Sequence, residues 1–169
     1  MKVPRNVPPN PLPDGLGALV LLLVVIALLL YGSACTPAPD VTYHLEGEVD
    51  DDQAELIWQG SQAWRSCGYV VQWVDRPELG AAHHVTIRLQ ELDGYAGLAR
   101  DDRREILLHS RLGRWQLLHT SGHEWGHVLL DTGEHLSGVN ALMTPGASTS
   151  YLRDADRELA CRVAGRCCR

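Results

Sequence analysis

The feature that most constrains this chain is the sequence His-Glu-Trp-Gly-His at residues 123–127. Residues four apart lie on one face of an α-helix, one turn apart, so His123 and His127 can present two imidazoles to a single ion. Zinc binds imidazole nitrogen, and a catalytic zinc site combines three protein ligands with a water molecule. Glu124 follows the first histidine, where its carboxylate can reach that water and accept its proton. The motif therefore predicts a helix that carries a zinc site.

The residues around the motif favour such a helix. The stretch from Arg114 to Leu130 contains no proline and supplies apolar residues along its length. Gly122 and Gly126 weaken a helix by about 1 kcal/mol each. Because Gly126 has no side chain, we expect it to allow another backbone to pack closely. The helix is predicted to stop at residues 131–133, where Gly133 can adopt the left-handed conformation.

These residues resemble the metzincin metallopeptidases, whose signature is H-E-x-x-H-x-x-G-x-x-H followed by a methionine turn, and among them the matrixins. His123 to Leu129 is similar to the start of that signature. The segment from His135 to Pro145 is similar to the part that joins the third ligand to the turn, with the matrixin spacing between His135 and Met143. Weaker similarity extends to the strands before the motif and to a closing helix from Tyr151 to Val163.

The resemblance includes one departure, which concerns the third metal ligand. The glycine of the family signature falls at Leu130, and its third histidine falls at Gly133. Two additional residues before His135 restore the register with the methionine turn, so His135 is the expected third ligand. Asp131 is the alternative, because it lies four residues after His127, and Glu134 is a weaker one.

The resemblance also implies a fold, a reaction and a set of site residues. It implies an α+β fold, with a mixed twisted sheet packed on helices, an active-site helix and a small C-terminal subdomain that ends in a helix. The implied activity is that of a zinc-dependent endopeptidase with one catalytic ion and a protein or peptide substrate. Glu124 would be the general base and Met143 a packing floor beneath the metal. Leu98 and Ala99 would offer backbone groups to an extended substrate.

Alternation of apolar residues, capping residues and glycine stops predict the remaining elements. Together they also indicate an α+β fold with a mixed sheet over helices. His83 and His84 are expected to be structural, and His109 and His119 are expected either to be structural or to support the metal ligands. In chain order the predicted elements are a strand at Val41–Leu45, a helix from Asp50 that stops at Gly68, and strands at Tyr69–Val74, His84–Leu89, Gly97–Arg100 and Glu105–His109.

The first forty residues are predicted to direct export. Residues 16–31 carry no charge and are short for a membrane span but suit a signal peptide. The sequence Gly-Ser-Ala-Cys that ends at Cys35 resembles a bacterial lipobox, which implies a signal peptide at 1–34, a lipidated Cys35, a tether at 35–40 and a catalytic domain at 41–169. An ordinary signal peptide or an uncleaved anchor is the alternative. We therefore expect a monomer at the bacterial cell envelope, attached to the membrane surface by its lipid.

Charge and cysteine content limit the partners and the chemistry. The net charge of −6 argues against nucleic acid as a partner. Four cysteines follow Cys35, an even number that is typical of two disulfides in an exported protein. Their three possible pairings stay open, although a Cys167–Cys168 bond would need a strained ring.

Two other kinds of protein fit the sequence less well than a peptidase. One is a non-catalytic surface lipoprotein that binds zinc through the same histidines, and the other is an exported binding domain with a fortuitous motif. Metal binding alone needs only the histidines, so the presence of Glu124 favours the enzyme.

Overall fold

The computed structural model describes residues 39–76, 83–100, 102, 104–146 and 148–166. The predicted signal peptide, Cys35 and most of the tether lie outside these residues, as do Cys167 and Cys168. Within the described part, we find no helix with the length and apolar character that crossing a bilayer requires.

The described elements begin with a strand and a helix, continue with four strands and end with two helices. This order places the motif helix after all five strands and before the closing helix. In sequence they are β1 (Val41–Glu46), α1 (Asp51–Gln62), β2 (Val71–Trp73), β3 (His84–Gln90), β4 (Gly97–Arg100), β5 (Glu105–His109), α2 (Arg114–Leu130) and α3 (Asp154–Ala164).

The five strands form one mixed sheet in the order β2-β1-β3-β5-β4. Neighbouring strands are parallel from β2 through β5, whereas β4 is antiparallel to β5 at the sheet edge. Parallel neighbours need a crossover connection, and α1 supplies it between β1 and β2. The predicted mixed sheet packed on helices is therefore present, with β4 as the edge strand beside α2.

The first helix is fixed by a reciprocal cap at its start. The side chain of Asp50 accepts a hydrogen bond from Gln53 N–H at 2.7 Å, and the Gln53 side chain accepts one from Asp50 N–H at 3.1 Å. The helix was predicted to continue to Gly68, but it ends at Gln62 and tightens into a 3₁₀ turn, Ala63–Cys67, before Gly68 takes a φ of 80°. The tighter turn places Trp64 in the core, where it is fully buried.

Two predicted elements are shorter in the structure. The strand expected at Tyr69–Val74 covers only Val71–Trp73, which pair with Val41–Tyr43 of β1. The closing helix expected from Tyr151 begins at Asp154. The preceding residue, Arg153, is extended and donates its N–H to the side chain of Asp156 at 2.8 Å, which fixes this start.

The two long helices cross at a pair of glycines. A Cβ atom at Gly60 of α1 would lie 2.7 Å from the backbone nitrogen of Gly122 on α2, so only glycine permits this approach. Trp64 reinforces the crossing, since its indole N–H donates to the Gly122 carbonyl at 2.9 Å. Trp125, three residues after Gly122, packs edge-on against Tyr43 of the sheet.

Gly126 makes room for side chains rather than for the backbone that the sequence predicted. A Cβ atom at this position would lie 2.2 Å from the sulfur of Met143 and 2.5 Å from the Trp64 ring. Met143 and Trp64 are both fully buried, so neither can move into solvent. The segment that carries Met143 therefore approaches α2 closely because residue 126 has no side chain.

We predict that Gly126→Ala lowers the free energy of unfolding by about 1–3 kcal/mol, because the added methyl overpacks the contact with Met143 and Trp64. Urea denaturation followed by tryptophan fluorescence measures this change. Gly122→Ala is the matched control on the same helix, where the nearest atoms would be 3.4 Å away. It should be neutral or stabilising by up to about 1 kcal/mol. Equal stability of both variants would contradict the packing described here.

Candidate metal centre

Three histidines converge at the C-terminal half of α2. The Nε2 atoms of His123 and His127 are 3.2 Å apart, and each lies 3.1 Å from the Nε2 atom of His135. His123 and His127 are buried on the helix, whereas His135 is exposed and comes from the segment after it. The structure thus brings together the three predicted ligands, and Asp131 and Glu134 are not part of the cluster.

Backbone carbonyls orient the two helical imidazoles. The Nδ1 atom of His123 is 2.8 Å from the Leu142 carbonyl, and that of His127 is 2.7 Å from the Thr132 carbonyl. A carbonyl can only accept, so each Nδ1 atom carries the proton and each Nε2 atom of a neutral ring carries a lone pair. Burial lowers the pKa of His123 to about 4, which keeps this ring neutral at neutral pH.

The cluster fits a zinc ion in both geometry and chemistry. Ligands about 2.0–2.1 Å from a tetrahedral zinc are separated by roughly 3.3 Å, close to the observed Nε2 distances. Lone pairs that face each other at 3.2 Å repel, and a cation between them removes this repulsion. Second hydrogen bonds from the ligand rings to carbonyls are typical of zinc-binding histidines. The residues present can therefore hold one zinc ion.

The chain reaches His135 by a turn that the sequence did not predict. Asp131, and not Gly133, adopts the left-handed conformation at the end of α2, with φ 50° and ψ 51°. Aspartate tolerates this region better than most residues, so the helix ends at Leu130 and does not continue far enough to keep Asp131 on the face of His127. The residue after His135 fixes its position, because Leu136 N–H donates to the Met143 carbonyl at 3.0 Å.

A buried carboxylate on α3 holds the segment beneath the cluster. Asp156 is fully buried and accepts hydrogen bonds from the backbone N–H groups of Leu142, at 2.9 Å, and Met143, at 2.8 Å. Leu142 in turn presents its carbonyl to His123, and Met143 presents its carbonyl to the residue after His135. Asp156 thus positions two of the three histidines through this turn.

Glu124 connects α2 to the edge strand. Its side chain is buried, and one carboxylate oxygen accepts a hydrogen bond from Ala99 N–H at 2.8 Å. Burial raises the pKa of Glu124 to about 7, and the bond from Ala99 partly opposes this change. A Cβ atom at Gly97 would lie 2.7 Å from the other Glu124 oxygen and 2.5 Å from a Thr120 methyl. Glycine at residue 97 therefore permits the strand to approach the carboxylate.

The pairing of β4 with β5 decides which backbone groups face outward. His109 N–H donates to the Ala96 carbonyl at 2.8 Å, so residue 96 and alternate residues after it bond to β5. Leu98 therefore directs its backbone groups towards β5. Gly97 and Ala99 direct theirs away from the sheet, and the outward N–H of Ala99 is the one that Glu124 binds.

A cavity of about 670 Å³ contains the histidine cluster and Glu124. Apolar side chains that are partly exposed border it, among them Tyr95, Leu98 and Trp115. Pro145 and Gly146, which follow Met143 in the chain, also line the cavity. The site is therefore open to a ligand larger than water, next to an edge strand with outward backbone groups.

Within the part of the chain that the structure describes, the other histidines and cysteines take no part in the cluster. His84 lies beside Thr42 and His44, with nitrogen distances of 2.9 Å to the Thr42 hydroxyl and 2.7 Å to His44. His109 accepts a hydrogen bond from Arg111 N–H at 3.0 Å. The disulfide pairing stays a prediction.

Comparison with solved structures places this fold beside that of a zinc-dependent peptidase from Methanocorpusculum labreanum (strain Z), with a TM-score of 0.51. The match covers 71% of this chain and 99% of that chain, at 12% sequence identity. Likeness at so low an identity shows the fold alone. No protein-family model matches the sequence, and no curated protein matches it.

We predict that His135→Ala lowers zinc affinity by more than about 100-fold, because the ion loses one of its three protein ligands. Loss of a group that only orients a ligand would have a smaller effect. Asp131→Asn is the matched control, since asparagine also tolerates the left-handed conformation. Its zinc affinity should change by less than about tenfold. Competition with a chromophoric chelator measures both values. Loss of zinc in Asp131→Asn with retention in His135→Ala would contradict the assigned ligands.

We further predict that Asp156→Asn weakens zinc binding by about 10–100-fold, because it disturbs the turn that orients His123. It should also lower the free energy of unfolding by about 1–3 kcal/mol, since one buried N–H loses its acceptor. Chelator competition and urea denaturation measure the two effects. The control is Asp154→Asn, which changes an exposed carboxylate on the same helix. Unaltered zinc affinity in Asp156→Asn would mean that the turn does not depend on this carboxylate.

Proposed function

We propose that this protein is a zinc-dependent endopeptidase of the metzincin type, most similar to the matrixins. One observation carries the proposal: a buried carboxylate, Glu124, and three converging histidine nitrogens lie in one open cavity. Metal ligands, a proton acceptor and space for a substrate are the three requirements of metal-assisted hydrolysis. The fold of a zinc-dependent peptidase from another organism is consistent with this reading.

Each group in the cavity has a separate task in peptide hydrolysis. His123, His127 and His135 would hold the ion, which would polarise the scissile carbonyl and acidify a water molecule. Glu124 would accept the proton of that water and donate it to the leaving amine. Met143 packs against α2 from below and takes no part in bonding the ion. The bond to Ala99 would keep the Glu124 carboxylate directed into the cavity.

The edge strand would bind the substrate backbone. An extended peptide can add to an exposed strand through main-chain hydrogen bonds, with affinity that is independent of sequence. Gly97 and Ala99 direct their backbone groups outward, and the N–H of Ala99 is already bound to Glu124. The backbone groups of Gly97 and the carbonyl of Ala99 would therefore bind the peptide backbone, and the exposed Leu98 side chain would contact its side chains. This supports cleavage within peptides of varied sequence.

A non-catalytic zinc-binding lipoprotein is the second candidate. It would require the histidines and Met143, whereas Glu124 would serve it only by its hydrogen bond to the edge strand. A buried carboxylate is costly to desolvate, and a protein that only binds metal has no need of one beside the ligands. The burial of Glu124 therefore supports the enzyme.

The location and partners of the enzyme follow from the N-terminal sequence. We infer that residues 1–34 are a lipoprotein signal peptide and that a lipid on Cys35 attaches an exported monomer to the surface of a bacterial membrane. Disulfides among Cys67, Cys161, Cys167 and Cys168 would suit that oxidising location. Its substrates would be proteins or peptides of the cell envelope or its surroundings.

We predict that the soluble part, from residue 36 onward, cleaves casein when loaded with zinc, and that Glu124→Gln lowers kcat by about 10²–10⁴-fold while the zinc content stays unchanged. Fluorescent casein and metal analysis provide the two measurements. The control is Glu158→Gln, which alters an exposed glutamate on α3 and should cleave like the unmodified chain. Equal cleavage by Glu124→Gln, or no cleavage by the zinc-loaded unmodified protein, would count against an endopeptidase.

We also predict that the full chain incorporates labelled fatty acid in bacteria and that Cys35→Ser abolishes it, because lipidation needs the thiol. Membrane fractionation and autoradiography detect the label. Cys67→Ser is the control and should still be labelled. Label in the Cys35→Ser protein would refute the anchor.

A further inference from the structure

His119 lies one turn before His123 on α2 and lines the same cavity. The sequence led us to expect a structural or a supporting role for it. The two ring centres are 6.2 Å apart, and His119 is not a member of the three-histidine cluster. It stands on the wall that runs from the cluster towards the start of α2, beside Trp115 and Leu112.

The orientation of the His119 ring is fixed by the loop after Met143. Its Nδ1 atom is hydrogen-bonded to the Thr149 carbonyl, which can only accept. The Thr149 residue is buried, and its hydroxyl donates to the Tyr151 carbonyl at 3.0 Å, so the loop itself is held in place. Nδ1 therefore carries the ring proton, and Nε2 of the neutral imidazole is a hydrogen-bond acceptor.

The free nitrogen of this ring has no partner among the described residues. Nε2 of His119 makes no hydrogen bond there, and it is not one of the buried polar atoms without a partner. It is therefore accessible in a residue that lines the cavity. The neighbouring Gln116 differs, because its side-chain oxygen already accepts a hydrogen bond from Gly113 N–H at 3.1 Å.

We propose that His119 determines substrate specificity by accepting a hydrogen bond from the end of a substrate side chain. The inference rests on the proposed peptidase function and names its substrate class. Selected substrates have, at one of the two residues that flank the scissile bond, a long side chain that ends in a donor, such as glutamine or lysine.

The shape and chemistry of the cavity support this choice. The lining of the cavity that contains the imidazole also includes the apolar residues Leu112, Trp115 and Pro145. The distance of 6.2 Å between the His119 and His123 rings is on the scale of a glutamine or lysine side chain. Methylene groups would contact the apolar walls, and a terminal N–H would meet the acceptor at their end.

The test compares peptides that differ in the terminal donor and keep nearly the same length. Glutamine is paired with methionine, and lysine with norleucine, at each position of a peptide library. Two readouts are used, both at pH 8. The first is cleavage by the zinc-loaded protein, analysed by mass spectrometry. The second is affinity selection of the same library on zinc-loaded Glu124→Gln, which does not depend on cleavage.

We expect the donor-ended member of each pair to be favoured by about 3- to 10-fold, which corresponds to one hydrogen bond of ordinary strength. His119→Leu should abolish or reverse this preference while zinc content stays the same. His44→Leu is the matched control. Its neighbour Tyr43 faces α2, so His44 lies on the opposite face of the sheet, and its variant should keep the preference.

Three outcomes would overturn the proposal: no donor preference in the protein with His119 intact, the same preference in His119→Leu, or no peptide retained at all. The first does not require His119→Leu to fold. A protein that selects donor-ended peptides but cleaves none would support the role of His119 and reject the peptidase function. The two failures are thus distinguishable.

Discussion

The hydrogen bond between His123 and the Leu142 carbonyl is the interaction on which the site depends, because it joins the motif helix to the turn beneath it. The carbonyl has a defined position only because Asp156 holds the turn by two backbone N–H groups. The Met143 carbonyl of the same turn accepts a hydrogen bond from Leu136 N–H, which fixes the neighbouring His135. One buried carboxylate thus determines the angle at which ligands from two separate segments meet.

Glycines allow these segments to approach closely. Gly126 admits Met143 and Trp64, and Gly97 lets the edge strand reach Glu124. Glycine in a helix interior is unfavourable by about 1 kcal/mol relative to alanine. The glycines of α2 therefore lower its intrinsic stability, and contacts with α1, the sheet and the turn offset this cost.

The sequence predicts the elements that depend on residues close together in the chain. The bounds of α2, β4 and β5 match the expected ones, since a proline-free apolar stretch, and two short apolar segments joined by four charged residues, are visible in the chain. Local sequence did not predict the roles of Asp131 and Asp156. Gly133 was the expected left-handed residue at the helix end, and Asp131 takes that conformation instead. Asp156 binds backbone groups that lie near it only in the folded chain. The sequence offers one signal for Asp156, an acidic residue three positions after Arg153. That spacing indicates the start of a helix and gives no indication of a metal site.

The coordination sphere itself is the most direct test of the central claim, that three histidines hold zinc beside Glu124. X-ray absorption spectroscopy of the zinc-loaded protein reports the ligand atoms without a crystal. The account predicts three imidazole nitrogens and one oxygen at about 2.0–2.1 Å. A spectrum with sulfur at about 2.3 Å, or with fewer than three imidazoles, would contradict it.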